Sequence, residues 1–285
     1  MAHRRAHVIL RALGDAYTKM TNEKHSHTVP VGLALQLVEL LKRWHIPERE
    51  LLSDVGLSPD ALKDPLARLP YATMCSLLDR ARLLTAEPGL GYYLGLQKRV
   101  SLYGYLGFAA LSAPSLRQAL EIAVKYAPIF STAIAIDLRA SGETLALRVE
   151  EQVDLGPARD IVLISLMLGL QTIGAALTGR ANPTAVDFAM PEPEYHARFA
   201  HLAPHWRFGQ PSTLLHLDAA LLDAPIVTSD HAALALARTL CERSLDELGF
   251  DAGLADRVRR LISADAGEFR SLEHVAALVH LSPRT

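Results

Sequence analysis

The hydrophobic period of this chain changes near Ala133, and no other feature constrains its fold as much. Before that point apolar residues recur at helical spacing. Leu33, Leu37, Leu40 and Leu41 in the stretch Pro30 to Trp44 form one stripe behind a proline entry. After it, Ile134, Ile136 and Leu138 alternate with Ala135, Asp137 and Arg139, the period of a strand with one buried face. Ala133 to Arg139 and Thr144 to Glu150, separated by Ala140-Ser-Gly-Glu143, predict a hairpin. The chain therefore divides into a helical half and a mixed half.

Further helices are expected over Pro47 to Val55, Pro59 to Leu62, Pro70 to Thr85, Leu90 to Arg99 and Pro114 to Phe130. In the mixed half, Asp160 to Leu177 and His231 to Leu248 read as long helices. Ala185 to Ala189, Trp206 to Gly209 and Leu214 to Leu217 read as short strands, with a helix from Pro191 to Ala200 between the first two. This order predicts an α+β fold, with a helical N-terminal half followed by a small antiparallel sheet of about four or five strands with packed helices. Leu234, Leu236, Leu240 and Leu245 make the last long helix apolar enough for either core or interface.

At 285 residues, length suggests about two domains, and half the residues are hydrophobic, so a sizeable core is available. A formal net charge of -2 argues against a broad basic surface for non-specific nucleic-acid binding. Cys75 and Cys241 are too few and too far apart for a disulfide framework, which makes a reducing cytoplasm the simplest compartment. Met1 to Thr28 reads as a mobile leader, because Arg11 and Asp15 interrupt the apolar part that a signal peptide would need.

Motifs for catalysis are weak. His196, His201 and His205 have a helical look, but Pro204 breaks the spacing and no further ligand completes a metal set. Gly89, Gly91 and Gly95 lack the preceding strand of a dinucleotide loop and read as a helix boundary. No acid, base and nucleophile constellation emerges, so neither an enzyme nor a bound cofactor or metal is expected. Tyr92, Tyr93, Tyr103, Tyr105, Phe108, Tyr126 and Phe130 gather where the two halves meet, which fits both a pocket lining and ordinary core packing.

The last residues carry the most specific local signal. Leu272, Val275, Ala276 and Val279 form an apolar stripe behind a Ser271 N-cap, and after a tight turn Ser282 and Pro283 mark a new helix start. The chain ends two residues later, at Arg284 and Thr285. The stretch Leu254 to Thr285, LADRVRRLISADAGEFRSLEHVAALVHLSPRT, resembles the opening of the DNA-binding region of AraC/XylS-type bacterial transcription regulators. Tyr103 to Pro114, Val186 to Pro193, Trp206 to Gly209 and Leu214 to Asp223 resemble the N-terminal domain of the branch whose sensor is arabinose-binding-like rather than a cupin, for which the chain has too few strands.

Beyond the leader read over 1–28, the resemblance implies an effector-sensing and dimerising domain over 29–249 and a truncated helix-turn-helix region over 250–285. It places partial DNA contacts at Ser271, His274, Ser282, Pro283, Arg284 and Thr285, because the N-terminal residues of a recognition helix read base edges. The expected effector pocket is drawn from Tyr103, Tyr105, Phe108, Tyr126 and Phe130. The expected partners are a small-molecule effector, a second copy of the chain, and DNA in the intact architecture, with weak or no sequence-specific DNA binding by this chain. The alternative is a free-standing ligand-binding and dimerisation module acting through full-length relatives.

Overall fold

The computed structural model describes residues 27–248 apart from 65, 142–143 and 181–183. The partial helix-turn-helix and its six named residues, and most of the expected leader, lie outside the described residues. The N-terminal part is helical: α1 (Gly32–Leu41), α2 (Glu48–Leu52), α3 (Tyr71–Thr85), α4 (Leu90–Leu96), α5 (Gly104–Ser112) and α6 (Leu116–Phe130). The mixed part carries α7 (Arg159–Thr178), the short α8 (Ala219–Leu222) and α9 (His231–Glu247). Two helix starts follow from their caps: Ser115 Oγ accepts from Gln118 N, and Asp230 Oδ1 accepts from Ala233 N at 2.9 Å.

The main sheet has five strands, β3 (Ile134–Ser141), β4 (Thr144–Glu151), β5 (Val186–Asp187), β6 (Trp206–Arg207) and β7 (Thr213–Leu217), in the order β3-β4-β7-β5-β6. The expected hairpin is β3–β4, with Ile136 opposite Val149 and Leu138 opposite Leu147. The other two expected strands shrink to the two residues of β5 and of β6, and this pair runs parallel. The expected helix from Pro191 to Ala200 is replaced by 3₁₀ turns at Glu194–Arg198 and Ala200–Leu202. Pro193 disfavours the α conformation at Glu192 before it, so no α-helix starts at Pro191 and the first turn begins only at Glu194.

A smaller ribbon was not anticipated. β1 (Thr28–Pro30) pairs antiparallel with β2 (Arg68–Pro70), Val29 opposite Leu69. The leader boundary expected at Thr28 is thus corrected: Thr28 is in a strand, and His27 Nδ1 lies 2.9 Å from Thr132 Oγ1. Arg68 fastens the ribbon to the end of α6. Its guanidinium donates to the carbonyls of Ile129 at 2.7 Å and Phe130 at 3.0 Å, which have no further helical turn to bond them.

α7 forms the spine. It is long and apolar enough to span a bilayer by composition, but here Ile161, Leu163, Ile164, Met167 and Leu168 are buried in the domain core. α4 lies directly on it because Gly91 and Gly95 have no side chains. A Cβ on Gly91 would sit 2.9 Å from the Ile161 carbonyl oxygen, and one on Gly95 would sit 2.7 Å from Leu168 Cβ. The glycine pair expected to mark a helix boundary is therefore a helix-packing face, and only Gly89 stands at the boundary, as the N-cap of α4.

Candidate functional site

A chamber of about 190 Å³ opens between the helical layer and the first strand of the main sheet. β1 contributes Val29, α1 contributes Leu33 and Gln36, and α3 contributes Tyr71, Met74 and Leu78. Leu106, Gly107 and Ala110 of α5, Ala123 and Ala127 of α6, Ile134 and Ile136 of β3, and Val162, Leu166, Leu170 and Ile173 of α7 complete an almost wholly apolar wall. A smaller void of about 90 Å³ lies beyond, sharing Ala110, Ala123, Leu170 and Ile173 with the first.

Two polar groups in this wall lack the partners that burial ordinarily demands. Lys98 is 91 % buried, and no carboxylate pairs with it among the described residues. Loss of hydration depresses its ammonium to about 8, so it is still charged at neutral pH. Gln36 donates through Nε2 to the Leu94 carbonyl at 3.4 Å, while its buried Oε1 has no hydrogen-bond partner. No acidic side chain is among the lining residues.

The fold places Lys98 here by a specific device. Lys98 follows the last turn of α4, its backbone N–H bonded to the Gly95 carbonyl at 3.2 Å. Its stem then lies over Gly169 of α7, where a Cβ would come within 2.6 Å of Lys98 Cγ. Three glycines, Gly91, Gly95 and Gly169, thus bring α4 close to α7 and leave room for a long cationic side chain in an apolar interior.

Of the five aromatic residues expected to line a pocket, Tyr103 and Phe130 do so, their rings 4.5 Å apart between centroids. Burial pushes the Tyr103 hydroxyl up to about 12, which keeps it neutral. Tyr105 and Phe108 are not on the wall. They are exposed on the outer face of α5. Tyr126 is buried, but its hydroxyl donates to Glu242 Oε1 at 2.7 Å, joining α6 to α9. Tyr92 and Tyr93 face away from the chamber, into an aromatic cluster with Phe199 and Trp206. Lys98 and Gln36 were missed from sequence; the only trace was the spacing of small residues that admits them.

The histidines that invited a metal reading are separated in role. His196 is buried and its Nδ1 lies 2.5 Å from the Tyr92 hydroxyl; desolvation holds its imidazole below the usual range. His201 sits in the second 3₁₀ turn, exposed, and His205 precedes β6. Among the described residues no group of three or more His, Cys, Asp or Glu side chains is placed to hold a metal ion.

The chamber's wall also has a route outward. Leu106, Gly107 and Ala110 sit on α5, and α5 packs against α9 along much of its length. Gly107 is itself pressed onto the preceding 3₁₀ turn, where a Cβ would meet the Val100 carbonyl oxygen at 2.0 Å. α5 thus stands between the chamber and α9, the last described helix.

Comparison with known proteins gives a consistent picture. The model of the arabinose-binding domain of AraC transcription regulators, N-terminal, matches residues 46–226. The chain is 32% identical over 259 residues to an ornithine utilization regulator of Pseudomonas aeruginosa, covering 90% of this chain and 76% of that protein. It is 24% identical over 268 residues to an uncharacterised HTH-type transcriptional regulator of Mycobacterium tuberculosis, covering 90% and 76%. The crystal structure of the transcriptional regulator CdpR from Pseudomonas aeruginosa superimposes with a TM-score of 0.56 at 19% identity, over 87% of this chain and 75% of that one, which establishes a shared fold.

Proposed function

The chain belongs to the AraC family of transcription regulators through an N-terminal domain of arabinose-binding type, and from that premise we propose that it is an effector-responsive regulator whose sensor is the chamber between α1, α3, α5, α6 and α7. The observation that carries this reading is the position of α5, which lines the apolar chamber on one side and packs against α9 on the other. A ligand that fits the chamber in only one arrangement of α5 shifts the balance between two positions of α9, and with it the DNA-binding region that the resemblance places over 250–285.

Dimerisation belongs to the same proposal. α5 and α9 pack together yet leave Tyr105, Phe108 and Leu236 in solvent, apolar side chains suited to meeting a second copy. Cytoplasmic residence and control of transcription through DNA follow from the family. The proposed division is an effector-sensing and dimerising domain over 27–249, its N-terminal edge set by β1, followed by the DNA-binding region. No catalytic step is assigned.

The test is genetic. Transcript levels are compared in strains lacking the gene, complemented with it, or complemented with Ala110→Trp, which fills the chamber. Transcripts that change on deletion and are restored by the wild-type gene, but lose their response to metabolites with Ala110→Trp, support the reading. An unchanged transcript profile on deletion overturns it.

A further inference from the structure

We propose that the chamber takes a small monocarboxylic acid with an apolar body, its carboxylate paired with Lys98. The inference rests on the effector-sensing reading and names the chemical class of the effector. Lys98 is nine-tenths buried, its ammonium has no carboxylate partner among the described residues and the wall contains none, so the anion that would complete the pair comes with the ligand. Gln36 stands as a second polar contact through Nε2, a two-hydrogen donor whose one bond, to the Leu94 carbonyl, is long at 3.4 Å and which can donate to a carboxylate.

The remaining wall selects the body of the ligand. Four hydroxyls aside, those of Tyr71, Tyr103, Ser131 and Ser165, the remaining wall is apolar, so a sugar would lose most of its hydration without replacement. A basic amino acid would bring cationic groups into a site that already holds one and has no acid to receive them. A 150 Å³ apolar cavity accommodates benzene, so 190 Å³ suits a body-plus-head of about ten non-hydrogen atoms. Tyr103 and Phe130 can receive a ring, and the adjoining void beyond Ala110 and Ala123 can receive a chain.

The experiment is isothermal titration of the full chain with octanoate, phenylacetate, 1-octanol and L-ornithine, repeated with Lys98→Met and Gln36→Leu. At least one acid is expected to bind at least about tenfold tighter than 1-octanol in the wild type, and Lys98→Met to abolish that preference while still binding the alcohol. Acid affinity should fall about tenfold between pH 7 and pH 9 as the ammonium at about 8 is lost, with the alcohol unaffected. Whichever acid binds tighter distinguishes ring from chain.

If 1-octanol binds as tightly as octanoate, or Lys98→Met keeps the preference for acids, the carboxylate pairing is wrong and the chamber reading survives. If L-ornithine binds tighter than both acids, the class is wrong. If none of the four probes binds the wild type, both the chamber reading and its ligand class fall. Should Lys98→Met prove insoluble, Lys98→Gln removes the same charge, and the Gln36→Leu variant, expected to weaken acid more than alcohol binding, tests the head-group position independently.

Discussion

α4 borders two interiors built by opposite rules. On one side, around Tyr92, buried polar groups are answered within the chain. Tyr92 stacks on Phe199 at 4.4 Å between centroids and bonds His196, Glu87 meets Arg198 at 2.9 Å, and Asp187 holds Arg207 at 2.7 Å and His216 at 2.8 Å. The orphan there, among the described residues, is the neutral indole N–H of Trp206. On the other side, in the chamber, an ammonium and an amide oxygen stand unanswered. The contrast separates a region whose buried polar groups, Trp206 aside, are satisfied within the chain from a region that leaves a charge open, and it is the second that our proposal assigns to the ligand.

The comparison breaks first at Tyr92. Replacing it with Ala removes a fully buried ring and leaves His196 without its hydroxyl partner, so the expected loss is about 3–5 kcal/mol. Thermal or urea unfolding measures it. A loss under about 1 kcal/mol would mean that the aromatic cluster is not the structural side. Asp187→Ala should cost less, about 2 kcal/mol, because the carboxylate is buried while Arg207 is largely exposed and recovers water when orphaned.

Lys98→Met sharpens the comparison by reversing the sign. The folded-state ammonium, at about 8, lies below its unfolded value of 10.5, so the folded protein holds its proton less firmly than the unfolded chain. The penalty is fully present below about pH 8 and is relieved as pH rises from there towards 10.5. Without ligand, the methionine variant should therefore be more stable than the wild type at pH 7 by on the order of 2 kcal/mol, with the advantage shrinking above pH 8. Unfolding midpoints at pH 7 and pH 10 decide it. An advantage that does not shrink would assign the gain to packing rather than to charge.

Much of this architecture was legible in the sequence because its signals are local. The alternation from Ile134 to Leu138 and the periodic stripe of α1 each determine an element over a few residues. The ribbon of β1 and β2 was not legible, since three-residue strands are too short to display a period and their partners lie far apart in the chain. The aromatic group near α5 was recognised as a cluster, but composition carries no facing. On that helix Leu106, Gly107 and Ala110 look inward and Tyr105 and Phe108 outward. Lys98 had no periodic signal at all, because its burial depends on Gly169, a residue on another helix whose only contribution is an absent side chain.

The smallest expected effect is also the finest test of the two-interior contrast. Gln36→Leu replaces a buried amide whose one hydrogen bond is long and whose oxygen is unpartnered with a side chain of similar size that the surrounding wall accepts. In a self-satisfying interior, deleting a polar group strands its partners and destabilises. Here little is stranded except the Leu94 carbonyl, so the ligand-free protein should change by less than about 1 kcal/mol, in either direction. Acid binding, by contrast, should weaken measurably. A Gln36→Leu variant that is markedly less stable yet binds acids normally would place Gln36 with Tyr92 and Asp187, among the residues that hold the fold, and would leave Lys98 as the sole receptor group in the chamber.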